Sequence, residues 1–184
     1  MERPDRPACR SALVVRPAAP ADARLLAAMN RHLIEDQRHH STATDADLEA
    51  RMRRWVSGDQ YAVALIERDG LPVAYAVWRD DEDGIYVRQF FVSRDHRREG
   101  LGRVGFAALV DGWGDKPVKL DALVHNERGL AFWRALGFRD YSLILSLDRP
   151  RSGNGRQVHG RDRDQPRAED GDRAGSQDRR DPAR

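Results

Sequence analysis

Two glycines separated by one residue lie among arginines in the segment Arg97–Arg103, whose letters are RREGLGR. A strand-like apolar segment precedes it, and an apolar segment with helical spacing follows, from about Leu101 to Trp113. The first N–H groups of a helix have no intrahelical acceptor, and the helix dipole adds partial positive charge there. Glycine lets the backbone approach phosphate oxygens because no Cβ intervenes. The segment therefore predicts an anion site, to which Arg97, Arg98 and Arg103 add positive charge.

The spacing of the glycines distinguishes among classes of phosphate site. The chain has no Gly-x-x-x-x-Gly-Lys-Ser/Thr loop and no three-glycine dinucleotide fingerprint. The pattern Arg97-x-x-Gly100-x-Gly102 matches instead the Arg/Gln-x-x-Gly-x-Gly/Ala signature of the GNAT acyltransferase superfamily. Further along, Asn126 is followed by an amphipathic segment and by Leu136-Gly137-Phe138, which is similar to the second signature region of that superfamily.

Each motif alone also has a structural explanation. Gly100 and Gly102 can simply permit a tight turn, and Gly137 can be a left-handed helix cap. Both motifs nevertheless occur in the order that the superfamily has, and this joint occurrence indicates the family more strongly than either motif does. The chain is therefore identified, by resemblance, as a member of the GNAT superfamily of N-acetyltransferases.

The resemblance implies acetyl-CoA as the acyl-donor cosubstrate. Its pyrophosphate would lie on the glycine loop, and its pantetheine arm would bond to the backbone of the strand that ends at Gln89–Val92. A backbone N–H near Val92 would then be the oxyanion donor. The cofactor-binding residues implied in this way are Phe91, Val92, Arg97, Arg98, Glu99, Gly100, Leu101, Gly102, Arg103 and Asn126.

The predicted catalytic residues are Asn126, which the resemblance implies, Trp133 and Gln89, which stand at the family's catalytic positions, and His125. Two of these positions depart from the commoner pattern. Many relatives carry a tyrosine acid after the phenylalanine of this helix, where the chain has Phe132-Trp133. Several relatives have a glutamate base at the position of Gln89, and glutamine cannot titrate. The residues left as candidate bases are Asp121, His125, Tyr86, Tyr141, Glu35 and Asp36.

The elements that must position these residues follow from periodicity and turn signals. Asp69-Gly70 predicts a hairpin turn, and Phe90-Phe91-Val92 is too apolar for an edge strand. The predicted strands are Leu13–Arg16, Tyr61–Glu67, Val73–Arg79, Ile85–Val92, Val118–Val124 and a closing strand before Leu147. The predicted helices are one capped by Asp22, then Asp47–Val56, Leu101–Trp113 and Leu130–Leu136.

This element order is similar to that of the GNAT fold. The resemblance implies an α/β (α+β) fold with a mixed central sheet of roughly six to seven strands, flanked by about four helices. Three parts are expected along the chain: a flexible lead over residues 1–11, an N-acetyltransferase domain over residues 12–148, and a disordered tail over residues 149–184. The tail has one aliphatic residue larger than alanine, Val158, so it cannot bury enough apolar area to offset its ordering entropy.

Charge and composition exclude several other classes of function. The tail carries ten arginines and seven acidic residues, so the remaining 148 residues have a net charge of −1 within the chain total of +2. No aromatic residue interleaves the tail arginines, which ranks nucleic-acid binding last. A single cysteine, Cys9, and the absence of an apolar run long enough for a bilayer predict a cytoplasmic protein without membrane partners. His39-His40 lacks further ligands at usable spacing, so no metal is expected.

We accordingly predict an enzyme that transfers an acetyl group from acetyl-CoA directly to a primary amine of a small molecule. Two alternatives remain open at this point. The acceptor can be a protein or peptide amine, or the chain can be a non-catalytic acyl-CoA-binding module. The resemblance also allows a homodimer, although no interface can be read from the sequence.

Overall fold

The computed structural model describes residues 13–38, 41–143, 145 and 147 of the 184-residue chain. The chain divides into two compact units, Met1–Tyr141 and Ser142–Arg184, and the first contains every helix and strand that the described residues form. In chain order these are β1 (Leu13–Pro17), α1 (Ala23–Asp36), α2 (Asp45–Ser57), β2 (Ala62–Arg68), β3 (Leu71–Asp81), β4 (Gly84–Val92), α3 (Leu101–Trp113), β5 (Val118–Leu120) and α4 (Glu127–Ala135).

The strands form one mixed sheet with the order β1-β2-β3-β4-β5. The first four strands are antiparallel to their neighbours, and β5 is parallel to β4. Because successive side chains of a strand point to opposite faces, each face carries its own apolar core. One core joins α1 and α2 to Leu65, Tyr75, Val77 and Phe91. The other joins α3 and α4 to residues that include Ile66, Val87 and Phe90. The α/β architecture with helices on both faces is therefore confirmed.

Local sequence explains several element boundaries. The β2–β3 turn has Asp69 at φ 55° and Gly70 at φ 78°, the left-handed conformations that a tight hairpin needs. Helix α2 begins at a capping box in which Thr44 accepts from the Asp47 N–H and the Asp47 carboxylate accepts from the Thr44 N–H. Asp22 lies at the N-cap position of α1, as predicted. The prediction that its side chain caps the helix is wrong, because the carboxylate accepts from Arg16 instead of from the helix N–H groups.

Gly84 begins β4 at a place where only glycine fits. Its φ is +121°, and a Cβ there would lie 2.2 Å from the Pro117 carbonyl oxygen. That same oxygen accepts the Ile85 N–H at 2.8 Å, just before β5 begins. Gly84 therefore lets the start of β4 lie against the chain that leads into β5.

The strand count differs from the expectation of six to seven, because five strands form within the described residues. The fifth is short: the predicted Val118–Val124 strand ends at Leu120, and Val124 is exposed. The predicted closing strand is not formed at residues 141–143, 145 and 147, which belong to no strand. Alternating apolar residues satisfy the pattern of a strand, but a strand exists only through hydrogen bonds to a neighbour, which this pattern does not specify.

Several other expectations lie outside the described residues. These are the lead over residues 1–11, the tail over residues 149–184, Cys9, and the pair His39-His40. Among the described helices, none combines the length and the apolar content that a bilayer crossing requires.

Candidate functional site

Strand β4 separates from β5 halfway along its length. In the β3–β4 register Val77 pairs with Gln89 and Trp78 pairs with Val87, so Arg88 is an extra residue that forms a β-bulge. Pairing between β4 and β5 comprises only three residue pairs, from Ile85–Val118 to Val87–Leu120. Within the described residues, β4 from Arg88 to Val92 is therefore paired on its β3 side alone. Backbone groups facing the other side can hydrogen-bond an extended ligand, as an open sheet edge does.

The glycine loop follows this half-paired strand and begins α3. Gly100 is the N-cap residue at φ +78°, and no side chain caps the helix. A Cβ built on Gly100 would find no atom within 4 Å, so the space on that side of Gly100 is free. Unpaired N–H groups, the positive end of the helix dipole and the missing Cβ together fit a phosphate group.

Most charged side chains of the loop are engaged with neighbouring elements. Arg97 donates through Nε to the Val92 carbonyl at 2.9 Å and also pairs with Asp36 at the end of α1. Glu99 pairs with Arg68 at the end of β2.

Two loop arginines remain to be placed. Arg103 donates to the Ala135 carbonyl in α4 at 3.1 Å, and it is engaged in the same way as Arg97. Arg98, exposed and at φ 70°, has no hydrogen bond or ion pair within the described ranges. Of the three arginines expected to supply free positive charge, Arg98 alone has no hydrogen bond or ion pair within the described ranges, so the free N–H groups of the first helical turn are the other donors that the loop offers an anion.

The carboxylates at the end of α1 are held by arginines and cannot serve readily as bases. Partial burial tends to raise the pKa of Asp36, but hydrogen bonds from Arg97 and Arg94 outweigh it, so that the pKa lies below its usual range. Glu35 pairs with Arg94 at 2.9 Å. Two of the candidate bases named from the sequence therefore hold the glycine loop and its preceding turn against α1.

Gly102 allows a close approach between α3 and α4. A Cβ on Gly102 would lie 3.2 Å from the Phe132 ring and 3.4 Å from Val92 Cγ2. Phe132 in turn stacks on Phe90 of β4, with ring centroids 5.9 Å apart and planes 8° apart. Leu101, beside Gly102, is half-buried. This contact brings the two sequence motifs together at the open end of β4.

Trp133 belongs to an aromatic cluster in the core between the sheet and the helices α3 and α4. Its ring lies 4.9–5.7 Å, centroid to centroid, from the rings of Phe90, Phe106, Phe132 and Phe138. The side chain is half-buried and forms no hydrogen bond within the described residues. The geometry therefore gives Trp133 a packing role and supplies no hydroxyl at the position where relatives have an acid.

Asn126 is the N-cap of α4. Its Oδ1 accepts the Gly129 N–H at 3.0 Å, which satisfies one of the free donors of the first helical turn. The bond fixes the side-chain amide at the beginning of the helix whose far end is Leu136-Gly137-Phe138. Gly137, at φ 97°, is the left-handed cap that follows α4.

Replacing Gly129 by alanine is expected to move Asn126 without unfolding the protein. A Cβ at this position would lie 2.5 Å from Asn126 Nδ2, so the amide must leave its capping position. The lost cap costs about 1 kcal/mol, and the gain of alanine over glycine in a helix offsets about as much. We expect an unchanged melting temperature together with a several-fold loss of kcat/KM.

The matched control is Gly112→Ala in α3, where nothing lies within 4 Å of the added Cβ. Full activity in Gly129→Ala, with the Asn126 amide displaced as judged by its side-chain resonances, would remove Asn126 from the functional residues.

Three of the remaining candidate bases lie on or after β4 and β5. Tyr86 donates to Asp121 at 2.8 Å, and burial, aided by Asp121, raises the pKa of Tyr86 to about 12. Tyr86 therefore keeps its proton near neutral pH. His125 Nε2 lies 2.9 Å from the Gln37 carbonyl. A carbonyl can only accept, so Nε2 carries the proton and the neutral ring has its lone pair on Nδ1.

Tyr141, the remaining candidate base, is almost fully exposed. In the described part of the chain, no group of three metal-ligating side chains is assembled.

Gln89 accepts a hydrogen bond from the Tyr75 hydroxyl at 3.0 Å. This hydrogen bond was not predicted from the sequence. Behind it lie Asn30 of α1 and Arg51 of α2. One signal was available: Asn30 directly follows Met29 on the apolar stripe of α1, where a polar residue must find a buried partner.

Comparison with known protein families gives a match over residues 26–138 to the acetyltransferase (GNAT) family. This match spans both glycine-containing motifs and all strands except β1. No curated protein sequence matches the chain.

Solved structures with the same fold include three with low sequence identity. A variant of the BH1408 protein from Bacillus halodurans has a TM-score of 0.63 at 20% identity, covering 74% of this chain and 99% of its own. The aminoglycoside N-acetyltransferase AAC(6')-Iy in complex with CoA has a TM-score of 0.60 at 17% identity, covering 76% and 95%. A ribosomal-protein-alanine N-acetyltransferase from Brucella melitensis biovar Abortus 2308 has a TM-score of 0.57 at 15% identity, covering 74% and 100%.

Proposed function

Because the chain belongs to the acetyltransferase (GNAT) family, we propose that it transfers the acetyl group of acetyl-CoA directly to a primary amine of a small molecule. The observation that carries this proposal is the half-paired end of β4, which leads within a few residues into the uncapped helix α3. The pantetheine arm and the pyrophosphate, two of the chemical parts of CoA, would find complementary backbone surfaces there in the order in which CoA has them.

The residues that would hold the cofactor divide by the kind of contact they offer. The N–H groups of Leu101, Gly102 and Arg103 begin α3 and would bind the pyrophosphate, with Arg98 as the uncommitted cation beside them. The backbone of Phe91 and Val92 would bond to the pantetheine arm. In this proposal Arg97 and Glu99 act through their ion pairs, which hold the loop in place, and not through phosphate contact.

Acetyl-CoA supplies, when bound, a thioester-activated acetyl group. The chain must then stabilise developing negative charge and accept a proton from the incoming ammonium group. We assign the first task to a backbone N–H near Val92 and a supporting contact to the Asn126 amide.

For the proton, His125 Nδ1 is the best-supported acceptor among the candidates. Tyr86 stays protonated, and Glu35 and Asp36 are engaged by arginines. Trp133 offers no acid at the position where relatives have one, so the C–S bond would break with CoA leaving as the thiolate, which takes its proton from solvent.

The amine is proposed to enter beside the end of α1. The His125 bond to the Gln37 carbonyl joins the segment after β5 to the segment between α1 and α2. Gln89 lies on β4 with its side chain on this same α1–α2 face of the sheet, where it contacts Tyr75. These groups would surround an amine placed at the open side of β4.

Calorimetric titration of acetyl-CoA into the full chain, with a thiol-release assay on the same preparation, tests the proposal. The acceptor panel contains aminoglycosides, polyamines, free amino acids and short peptides with a free N-terminus. We expect micromolar binding of acetyl-CoA and release of CoA with at least one small amine.

Three other outcomes would each contradict a specific part of the proposal. Turnover of peptides alone would overturn the small-molecule assignment. Binding without turnover of any acceptor would indicate a non-catalytic acyl-CoA-binding module. Absence of binding would overturn the cofactor site.

A further inference from the structure

A chain of three hydrogen bonds crosses the core on the α1–α2 face of the sheet and ends at Gln89. Arg51 of α2 donates to Asn30 Oδ1 at 2.5 Å, Asn30 Nδ2 donates to the Tyr75 hydroxyl at 3.0 Å, and this hydroxyl donates to Gln89 Oε1 at 3.0 Å. Asn30 and Tyr75 are fully buried. Buried polar groups of this kind are costly unless every link is satisfied, so the chain is a specific feature of the fold.

The direction of every link follows from the arginine at one end. A guanidinium group can only donate, so the Asn30 atom that faces Arg51 must be the carbonyl oxygen. The amide nitrogen of Asn30 therefore faces Tyr75, and the tyrosine oxygen accepts from it. The single hydroxyl proton of Tyr75 then has to go to Gln89, whose facing atom must be Oε1.

The Gln89 end of this series of hydrogen bonds is open to a ligand. Because Gln89 Oε1 is held by Tyr75, the amide nitrogen Nε2 points away from it. Among the residues that the structure describes, Gln89 Nε2 has no hydrogen-bond partner. It is also not one of the buried side-chain atoms that lack a partner, so it is accessible to solvent. Burial also keeps the pKa of Tyr75 well above its ordinary value, so its hydroxyl remains a donor over the whole working range of pH.

We propose that the Arg51–Asn30–Tyr75 chain fixes Gln89 as a hydrogen-bond donor to the acceptor substrate, and so selects amines that carry a carbonyl or carboxylate oxygen within a few bonds of the amine. This inference rests on the proposed function, since it concerns the acceptor side of the same site. Gln89 lies three residues before Val92, a separation of about 10 Å along a strand, which its side chain and a short substrate can span together. Arg51, Asn30 and Tyr75 are positioning residues, and Gln89 is the residue that touches the substrate.

The substitution Asn30→Asp reverses the direction of the chain. A carboxylate accepts from Arg51 and also accepts from Tyr75, so the tyrosine proton turns toward residue 30. The tyrosine oxygen then accepts from Gln89 Nε2, and Gln89 presents Oε1 to the substrate. The new carboxylate remains paired with Arg51, which keeps the buried charge compensated.

We expect Asn30→Asp to raise the acceptor KM roughly tenfold for an α-amino acid ester, whose oxygens can only accept, the cost of one misdirected hydrogen bond. The KM for an alkylamine of equal length without the oxygen should stay unchanged, as should the Kd for acetyl-CoA. A uniform loss of activity toward both amines would overturn the assignment of Gln89 as a selecting donor.

A second readout does not depend on catalysis. In protein labelled with ¹⁵N, the Gln89 side-chain NH₂ protons are expected to exchange rapidly with water in the wild type, and one of them is expected to be protected in Asn30→Asp. Equal exchange in both proteins would overturn the polarity of the chain. If the wild type neither binds acetyl-CoA nor acetylates any amine, the proposed function fails, while the exchange experiment still decides the polarity.

The substitution Tyr75→Phe provides a second test should Asn30→Asp fail to fold. It removes the donor to Gln89 and leaves the ring in the core, so the same selective rise in KM is expected. The matched control is Tyr61→Phe, which lies in the same core cluster and whose hydroxyl receives only a 3.5 Å contact from Arg79. Equal effects of the two substitutions would reduce Tyr75 to a packing role.

Discussion

Gly100→Asp is expected to abolish acetyl-CoA binding, with a Kd raised at least a hundredfold, while the protein stays folded. Gly100 caps α3 at φ +78° and has free space where a side chain would project. An aspartate there brings a carboxylate that competes for the N–H groups of the first helical turn and repels the pyrophosphate. The left-handed conformation costs about 1 kcal/mol for a residue with a side chain, too little to unfold the domain. Calorimetric titration measures the loss, and circular dichroism checks the fold.

The matched control for this experiment is Gly70→Asp in the β2–β3 turn. Gly70 has the same φ of +78°, and nothing lies within 4 Å of its added Cβ. It therefore reproduces the backbone strain and the added charge at a position away from the glycine loop. Unchanged affinity in folded Gly100→Asp, or an equal loss in Gly70→Asp, would exclude the glycine loop as the cofactor site.

Gly84→Ala is expected to lower the free energy of unfolding by about 3 kcal/mol or more, because it combines a strained φ with a steric conflict. The added Cβ would lie 2.2 Å from a backbone carbonyl, that of Pro117, which no side-chain rotation can relieve. Moving Pro117 away also lengthens its hydrogen bond from the Ile85 N–H, now 2.8 Å. For a domain of this size the melting temperature should fall by about 10 °C.

Gly70→Ala serves as the comparison, since it shares a positive φ but meets no neighbour. The left-handed conformation alone should cost about 1 kcal/mol there. The difference between the two variants in chemical denaturation isolates the contact with Pro117. Equal destabilisation would mean that the start of β4 tolerates a side chain, contrary to the geometry. Because Ile85 also begins the short pairing with β5, a surviving Gly84→Ala protein should bind acetyl-CoA more weakly as well.

The arginines of the glycine loop have other partners in the structure than the phosphate groups that the motif predicts for them. Their type and position predict charge for phosphate binding, and that prediction was reasonable for a loop considered alone. In the folded protein Arg97 connects Asp36 of α1 to the Val92 carbonyl of β4. Arg103 connects α3 to the end of α4. Two of the three arginines thus organise the loop, and no side chain caps the first N–H groups of α3.

Local sequence by itself determined the elements that surround the site. Helix α3 has the predicted bounds, Leu101–Trp113, because its apolar spacing and its flanking glycines are local signals. The hairpin at Asp69-Gly70 was likewise predictable, since turn chemistry depends on neighbouring residues alone. The prediction that Phe90-Phe91-Val92 is not at a sheet edge was wrong in part, because β4 lies between β3 and β5 but these three residues pair, within the described residues, with β3 alone. The two motifs, read in order, also sufficed to indicate the family that the comparison over residues 26–138 established.

The tertiary structure alone decided how the functional side chains are connected. Asn30 and Tyr75 are 45 residues apart, and Arg97 and Asp36 are 61 apart, so no local pattern could pair them. No local pattern predicts that β4 and β5 separate after Val87 either. This separation depends on a bulge at Arg88 and on the end of β5 at Leu120. Side-chain type and spacing specify which groups can donate or accept, whereas the partner that each one meets depends on the packing of distant segments. For that reason the sequence indicated a glutamine, Gln89, where a base was expected. Only the fold shows that Tyr75 holds its Oε1 and so fixes the direction of its amide nitrogen.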